Sequence, residues 1–444
     1  MENGKKVSLV EKLGYASGDL ACNLVFQTVS IFLLIFYTDV FGISAAAAAT
    51  LFLVARLWDA INDPIMGAIV DKTKTRWGKF RPFLLWGAIP YGLIAILCFT
   101  TPNFSAAGKL IYAYVTYIGL GMVYTFINVP YGALTSSMTQ DPVERTNISA
   151  IRMFFALIGG LVVSGVPTLS NLFGKGNAAL GYQVTMIVFA IIGTFLLFVT
   201  FFTTKERHTI KENNHKVNLS QTIKVLKANS PLKILSLIFI LFFATNTISS
   251  AVSVYFFKYN LNSPATISLY ISSGIIVMMA TLLFIPLMLK RIEKKRLLIL
   301  GTAIGLFKPI SMLFLSMPII FAGNIIGSIG FGIVVGLLWG LVPDTIEYGQ
   351  YKTGIRAEGM VYAIVGFAFK LGMALGGLVP GYVLEWTGYV PNSAQNNLTL
   401  SGIASLVSII PIVFFLLIII CMKFYRLNEE TYRDIVFKLN QKGV

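Results

Sequence analysis

Twelve stretches of this chain are apolar over about 20 residues or more, and that pattern limits its fold more than any other feature. A helix needs about 20 apolar residues to cross the hydrocarbon core of a bilayer. The stretches fall at roughly 11–38, 44–70, 81–101, 108–136, 147–169, 180–203, 232–257, 265–289, 297–316, 318–342, 357–384 and 400–424. They predict an all-α membrane protein of twelve transmembrane helices. Composition agrees: 56% of the 444 residues are hydrophobic and 12% charged, where a soluble protein averages about 25% charged. The long polar stretch 204–231 divides the spans six and six. The expected organisation is an N-terminal bundle over 1–203, a central loop over 204–231, a C-terminal bundle over 232–427 and a tail over 428–444.

The net charge of +16 would suggest nucleic acid in a soluble protein. Here the basic residues lie in short connectors between apolar runs, so the bilayer and not nucleic acid is the expected partner. Lys72, Lys74, Arg76, Lys79 and Arg81 lie in one connector, and Lys290, Arg291, Lys294, Lys295 and Arg296 in another. Lys205, Arg207, Lys211, Lys216, Lys224, Lys227 and Lys233 lie in or beside the central loop, and twelve spans put all three groups on one side. The opposite side carries Lys109, Lys175 and Lys258. The positive-inside rule then places both termini in the cytoplasm, in a cell (inner) membrane. Ser8-Leu9-Val10-Glu11 reads as a capping box opening the first span. That span has no cleavage site after it and is expected to be retained.

Cys22, Cys98 and Cys421 each sit in an apolar run and support neither a disulfide framework nor a zinc site. His208 and His215 share a polar loop without metal-ligand spacing. No G-x-x-x-x-G-K-[ST] motif occurs, which argues against a self-contained ATP-driven pump. Segments 218–229 and 428–440 carry apolar stripes, the second through Tyr432, Ile435, Val436 and Leu439 behind Asn428 as cap. Both are expected to lie against the cytoplasmic face.

Ionisable side chains inside spans cost about 2.5–3.5 kcal/mol each on insertion scales, so each is a functional candidate. Arg56, Asp59 and Asp63, in the second span, are spaced to share one helix face. Two carboxylates one turn apart suit a Na⁺ site, and they suit a proton carrier equally. A purely structural Arg–Asp pair is the competing reading, and the excess of acid over base disfavours it. Asp19 lies about 13 Å into the first span and can accept hydrogen bonds from sugar hydroxyls; as a structural residue it would partner Arg56 or Lys370. Arg152 and Lys370 can hydrogen-bond a sugar or neutralise an acid in the empty carrier. Gly121, Tyr124, Thr125, Asn128 and Gly132 share one face of the fourth span and resemble a cavity wall. Lys308, in the ninth span, can snorkel, pair with an acid or contact an anionic substrate.

At these residues the chain resembles the glycoside-pentoside-hexuronide:cation symporters of the major facilitator superfamily. Leu51-Phe-Leu-Val-Ala-Arg56-Leu-Trp-Asp59-Ala-Ile-Asn-Asp63-Pro64-Ile-Met-Gly67 is similar to the melibiose carrier, and Arg76-Trp-Gly-Lys79-Phe-Arg81-Pro82 continues the likeness. Gly14-Tyr-Ala-Ser-Gly-Asp19, Tyr112 to Gly121 and Asn128-Val-Pro130-Tyr-Gly-Ala-Leu are closer to the glucuronide and xyloside carriers. Asp344-Thr-Ile-Glu347-Tyr-Gly349 with Thr353-Gly-Ile-Arg356-Ala-Glu358 resembles the family's loop between spans ten and eleven. The resemblance implies two six-helix bundles in the major facilitator fold with a central site reached alternately from each side. It implies a cation site of Asp59, Asp63 (the Na⁺ ligands, if sodium is the ion) and Thr125. Sugar contacts would come from Asp19, Tyr124, Asn128, Arg152 and Lys370. Arg56, Asp71, Arg76, Lys79, Arg81, Asp344, Glu347, Arg356 and Glu358 would serve as gating or ionic partners.

Two departures from the melibiose carrier stand out. Asn128 replaces an acid and Gly132 a tryptophan, which suits a hexuronide or a larger β-glycoside better than an α-galactoside. Gly18 replaces a basic residue. The expected function is symport of a glycoside (xyloside, glucuronide or related oligosaccharide) with Na⁺ or H⁺, without a resident cofactor. The alternatives are a lysolipid-type transporter of the same fold and an uncoupled sugar facilitator. A receptor is disfavoured by the short tails, and an enzyme by the lack of a nucleophile, base or metal constellation.

Overall fold

A computed structural model describes residues 7–207, 227–355 and 357–441. His208, His215, Arg356 and most of segment 218–229 therefore lie outside the described residues. Among the described residues twelve helical segments are long and apolar enough to cross a membrane, and each matches one of the twelve apolar runs. The chain divides into two compact units, 1–212 with 263–272 and 390–394, and 213–262 with 273–389 and 395–444.

The first unit contains α1 (Leu9–Ile35, continued as one π-helical stretch, Phe36–Phe41), α2 (Ala45–Lys72), α3 (Arg81–Cys98) and α4 (Ala106–Met138). These are followed by α5 (Pro142–Val163), α6 (Val166–Gly174) and α7 (Ala178–Thr203). The sequence predicts one span over 147–169; the structure ends its helix at Val163 and restarts it at Val166. Pro167, in the first turn of α6, cannot continue the hydrogen-bond ladder of α5. α1 packs mainly against α5 and α7, and α2 packs on α4.

Only half of the expected capping box forms. The Ser8 hydroxyl accepts from the Glu11 amide at 3.3 Å, but the Glu11 carboxylate does not turn back to Ser8. It pairs instead with both terminal nitrogens of Arg207, at 2.7 and 2.6 Å, and accepts from the Lys205 amide. A charged bidentate partner outcompetes a neutral backbone amide. Beyond the bilayer ends, Glu11 holds the Arg207 guanidinium above its usual range.

The second unit contains α8 (Ser230–Tyr255), α9 (Ile267–Leu289, its first residues counted with the first unit), α10 (Lys294–Gly305) and α11 (Phe307–Ser311). Then come α12 (Met317–Thr353), α13 (Glu358–Trp386), α14 (Asn397–Val407), α15 (Ile409–Phe424) and α16 (Glu429–Gln441). Lipid tails are as apolar as leucine, so helices in a bilayer associate through close packing and small residues. The α8–α13 seam shows this. A Cβ on Gly372 would stand 2.6 Å from the Ile240 carbonyl oxygen, and one on Gly376 2.4 Å from Thr247 Cβ. Small residues four apart thus let two backbones meet. The unit's core gathers Phe242, Phe331 and Phe415, with ring centroids 5.3 to 6.5 Å apart.

The tail forms the amphipathic helix that its pattern predicts. Asn428 caps α16 by accepting from the Thr431 amide at 2.9 Å. Ile435 and Leu439 are buried in the core of the second unit, with Tyr432 packed beside them. Burial, with Glu347 and Asp344 nearby, raises the Tyr432 phenol above its usual range.

Candidate substrate and cation sites

Six of the predicted site residues meet inside the first unit, in two separate places. In the first, Arg152 of α5 donates from Nε to Asp19 Oδ2 of α1 at 3.0 Å. The pairing differs from both partners that the sequence suggested for Asp19, Arg56 and Lys370. The Asp19 side chain is 13% exposed and that of Arg152 34%, so this is an ion pair with one side open. The pair engages Oδ2, and a carboxylate has lone pairs to spare for hydroxyl donors. Arg152 also lies over the ring of Tyr131, 5.2 Å from its centroid.

The second place lies on α2 and α4. Arg56 Nη1 donates to Asp59 Oδ2 at 3.1 Å. Asp59 is buried, at 8% exposure, and a single basic partner one turn away compensates its charge. Asp63 Oδ1 accepts from the Thr125 hydroxyl of α4 at 3.1 Å. Of the three charges that the spacing placed on one face, Arg56 and Asp59 thus pair with each other, and Asp63 takes a hydroxyl donor from α4. Asp59, Asp63 and Thr125 present only oxygen donors, the type that hard cations take. Among the described residues no group of three His, Cys, Asp or Glu side chains gathers as a metal cluster.

Arg56, Asp59, Tyr117 and Tyr124 line one pocket together with Phe26 and Tyr91. Tyr124 stacks on Phe26 at 5.3 Å, and Arg56 lies 5.9 Å over the same ring. The predicted wall of α4 is thus built partly as expected. Gly121 faces Asp59, Thr125 reaches Asp63, and a Cβ on Gly132 would meet nothing within 4 Å. Asn128 is half-buried on the same helix. Lys370 lies on α13, in the second unit. Lys308, on α11, holds its ammonium 5.3 Å over the Phe331 ring.

Apart from Arg56, the described ionic partners lie toward helix ends; Asp344 and Glu347, expected in a loop between spans ten and eleven, lie inside α12, which runs on to Thr353. Lys79 Nζ donates to Asp71 at 2.8 Å. Arg76 stacks on Trp77, and Arg81 donates to the Phe201 carbonyl at 2.7 Å. In the second unit Lys294 Nζ donates to both oxygens of Asp344, at 3.0 and 2.9 Å. One oxygen of Glu347, Oε2, is buried without a hydrogen-bond partner among the described residues. Glu358 is exposed in the first turn of α13, where the helix dipole favours an acid.

Sequence reasoning missed Glu144 and Glu206 at the ends of the first unit's helices and read Glu11 only as part of a capping box. Glu11 holds Arg207. Glu144 accepts from the Val7 amide and from Lys12. Glu206 accepts from the Lys79, Phe80 and Arg81 amides at 2.9, 2.8 and 2.9 Å, which makes it the anion at the N-terminus of α3. Acids within a turn of a span end, opposite the positive-inside cluster, were the signal available.

Known proteins bear on this geometry. The sequence matches the family described as MFS/sugar transport protein over residues 14–429. It is 47% identical over 447 residues to the uncharacterized symporter YnaJ of Bacillus subtilis (strain 168), across 99% of this chain and 96% of that protein. It is 38% identical over 426 residues to the isoprimeverose transporter of Lactiplantibacillus pentosus, covering 94% and 89%. The glucuronide carrier protein homolog of Escherichia coli (strain K12) is 34% identical over 439 residues, covering 97% and 95%. A crystal structure of a D-xylose-proton symporter aligns with a TM-score of 0.67 at 15% identity, over 92% of this chain and 96% of that one. That likeness is one of fold.

Proposed function

Because the chain belongs to the MFS/sugar transport protein family, in its glycoside-pentoside-hexuronide:cation symporter branch, we propose that it imports a glycoside together with Na⁺ or H⁺. The family consists of multi-pass membrane transporters, not enzymes. The observation that carries the reading is the division of the intramembrane acids into two centres on different helices. Asp19 with Arg152 offers a sugar both an acceptor and a planar set of donors. Asp59, Asp63 and Thr125 offer a cation oxygen ligands. Tyr124, Asn128 and Lys370 join the sugar contacts in this reading, and the conformational cycle exposes the sites to each side in turn. The carrier sits in the cell membrane with both termini cytoplasmic and uses no resident cofactor. Relatives named for isoprimeverose and glucuronide make xylosides and glucuronides the first substrates to try.

The coupling follows from charge. A cation moved inward gains about 2.3 kcal/mol per 100 mV, enough for roughly 50-fold accumulation of a neutral sugar at one-to-one coupling. A hexuronide travelling with one cation moves no net charge. The test is uptake of labelled xylosides, glucuronides and galactosides into membrane vesicles, with Na⁺, H⁺ and potassium-diffusion potentials imposed separately. An interior-negative potential should stimulate a xyloside, whereas a glucuronide should respond only to the ion's chemical gradient. Failure of every gradient to raise any of these sugars above equilibrium ends the symport reading in favour of a facilitator.

A further inference from the structure

Tyr15 of α1 and Tyr131 of α4 are both fully buried, and each donates its hydroxyl to the other's backbone carbonyl. The Tyr15 hydroxyl reaches the Tyr131 oxygen at 2.9 Å, and the Tyr131 hydroxyl reaches the Tyr15 oxygen at 2.7 Å. The rings stack with centroids 4.6 Å apart at 20°. Thr135 donates to the Tyr15 hydroxyl at 2.6 Å, so that oxygen is satisfied as acceptor and as donor. Nothing in this clasp is left to rotate. On the Tyr131 face lies the guanidinium of Arg152, whose Nε holds Asp19. The clasp has room because residue 18 is glycine. A Cβ there would stand 2.7 Å from Tyr131 Cε2 and 3.0 Å from the Thr200 hydroxyl.

We propose that Tyr131 is the positioning residue for Arg152, and that the absence of a side chain at Gly18 sets where the sugar-facing guanidinium stands. The ring supplies a flat negative face at the junction of α1, α4 and α5, on which a guanidinium is held by cation–π attraction. The reciprocal hydrogen bonds stop the ring from tilting. Any side chain at 18 pushes the ring, and with it Arg152, relative to Asp19 on the next residue of α1. Residue 18 then selects among glycosides without touching them. This inference rests on the reading of Asp19 and Arg152 as sugar contacts.

The test uses the full chain in right-side-out vesicles, normalised by immunoblot, with labelled methyl β-xyloside and methyl β-glucuronide as probes. Tyr131→Leu removes the ring and should raise the KM of the transported probe about tenfold or more, with the cation half-saturation unchanged. Tyr131→Phe keeps the face and should cost less than about threefold, the loss of one buried hydroxyl contact. Gly18→Ala should fall between the two and alter the preference between the probes. In an Arg152→Gln background, which removes the cation over the ring, Tyr131→Leu should add less than about twofold, because both changes remove the same interaction. An unchanged KM in Tyr131→Leu, or losses that multiply in the double variant, overturns the proposal. If Arg152→Gln and Asp19→Asn themselves leave the KM unchanged, the sugar-site reading fails instead.

Discussion

The two units treat charge inside the membrane differently. In the first, three acids lie well inside spans: Asp19 meets Arg152 across helices, Asp59 meets Arg56 one turn away, and Asp63 meets the Thr125 hydroxyl. In the second, the charges near mid-span are the lysines Lys308 and Lys370, and the acids Asp344 and Glu347 lie toward the far end of α12. Lys294 holds Asp344 there, while Lys308 leans on an aromatic ring in an apolar core. A carboxylate offers oxygen to a cation, and an ammonium cannot. On the reading proposed above, the coupling ion belongs with the oxygen ligands of the first unit.

The largest effect should come from the coupling acids. Asp59→Cys and Asp63→Cys should each drop the sugar accumulation ratio from about 50 to about 1, while downhill exchange stays measurable in the same vesicles. Lys308→Met should retain concentrative uptake. If Lys308→Met also abolishes accumulation, the contrast between the units is lost. Next, Asp19→Asn should raise the sugar KM about 10- to 100-fold, the cost of charge-assisted hydrogen bonds, with little change in cation half-saturation. Equal loss of both in binding calorimetry would merge the two centres into one.

Smaller effects should separate packing from function. Gly376→Val at the α8–α13 seam overpacks a backbone contact and should cost about 1–3 kcal/mol. Thermal unfolding in detergent should register it as a lowered Tm, and an unchanged Tm would mean that the seam opens freely. Of similar size, Glu11→Gln removes the charge of a buried carboxylate that holds Arg207 with both oxygens. A loss of about 1–3 kcal/mol is expected, with uptake kinetics intact. A change in the sugar KM would give that end of the unit a place in the transport site.

The first unit was the more legible of the two from residues alone. Asp59, Asp63 and Thr125 sit in motifs whose spacing already placed them on α2 and α4. The sequence also marked Gly132 as open space, and no atom lies near its missing Cβ. Less was legible where a contact joins distant segments. Glu206 reaches the amides of residues 79–81 from 125 residues or more away, and no local pattern announces it. The break after Val163 did have a local signal, Pro167, which the span count passed over.

Hydropathy and charge determined the twelve spans and the set of intramembrane candidates, because the cost of burying a charge or leaving a backbone amide unsatisfied in lipid is paid residue by residue. The partners of those charges were decided by tertiary structure. Asp19 takes Arg152, 133 residues away, because a contact between helices depends on their rotation and separation, which packing sets. Gly18 carries the same lesson. In the sequence it is one glycine among 39, and only the Tyr131 ring lying where its side chain would stand shows that nothing larger fits.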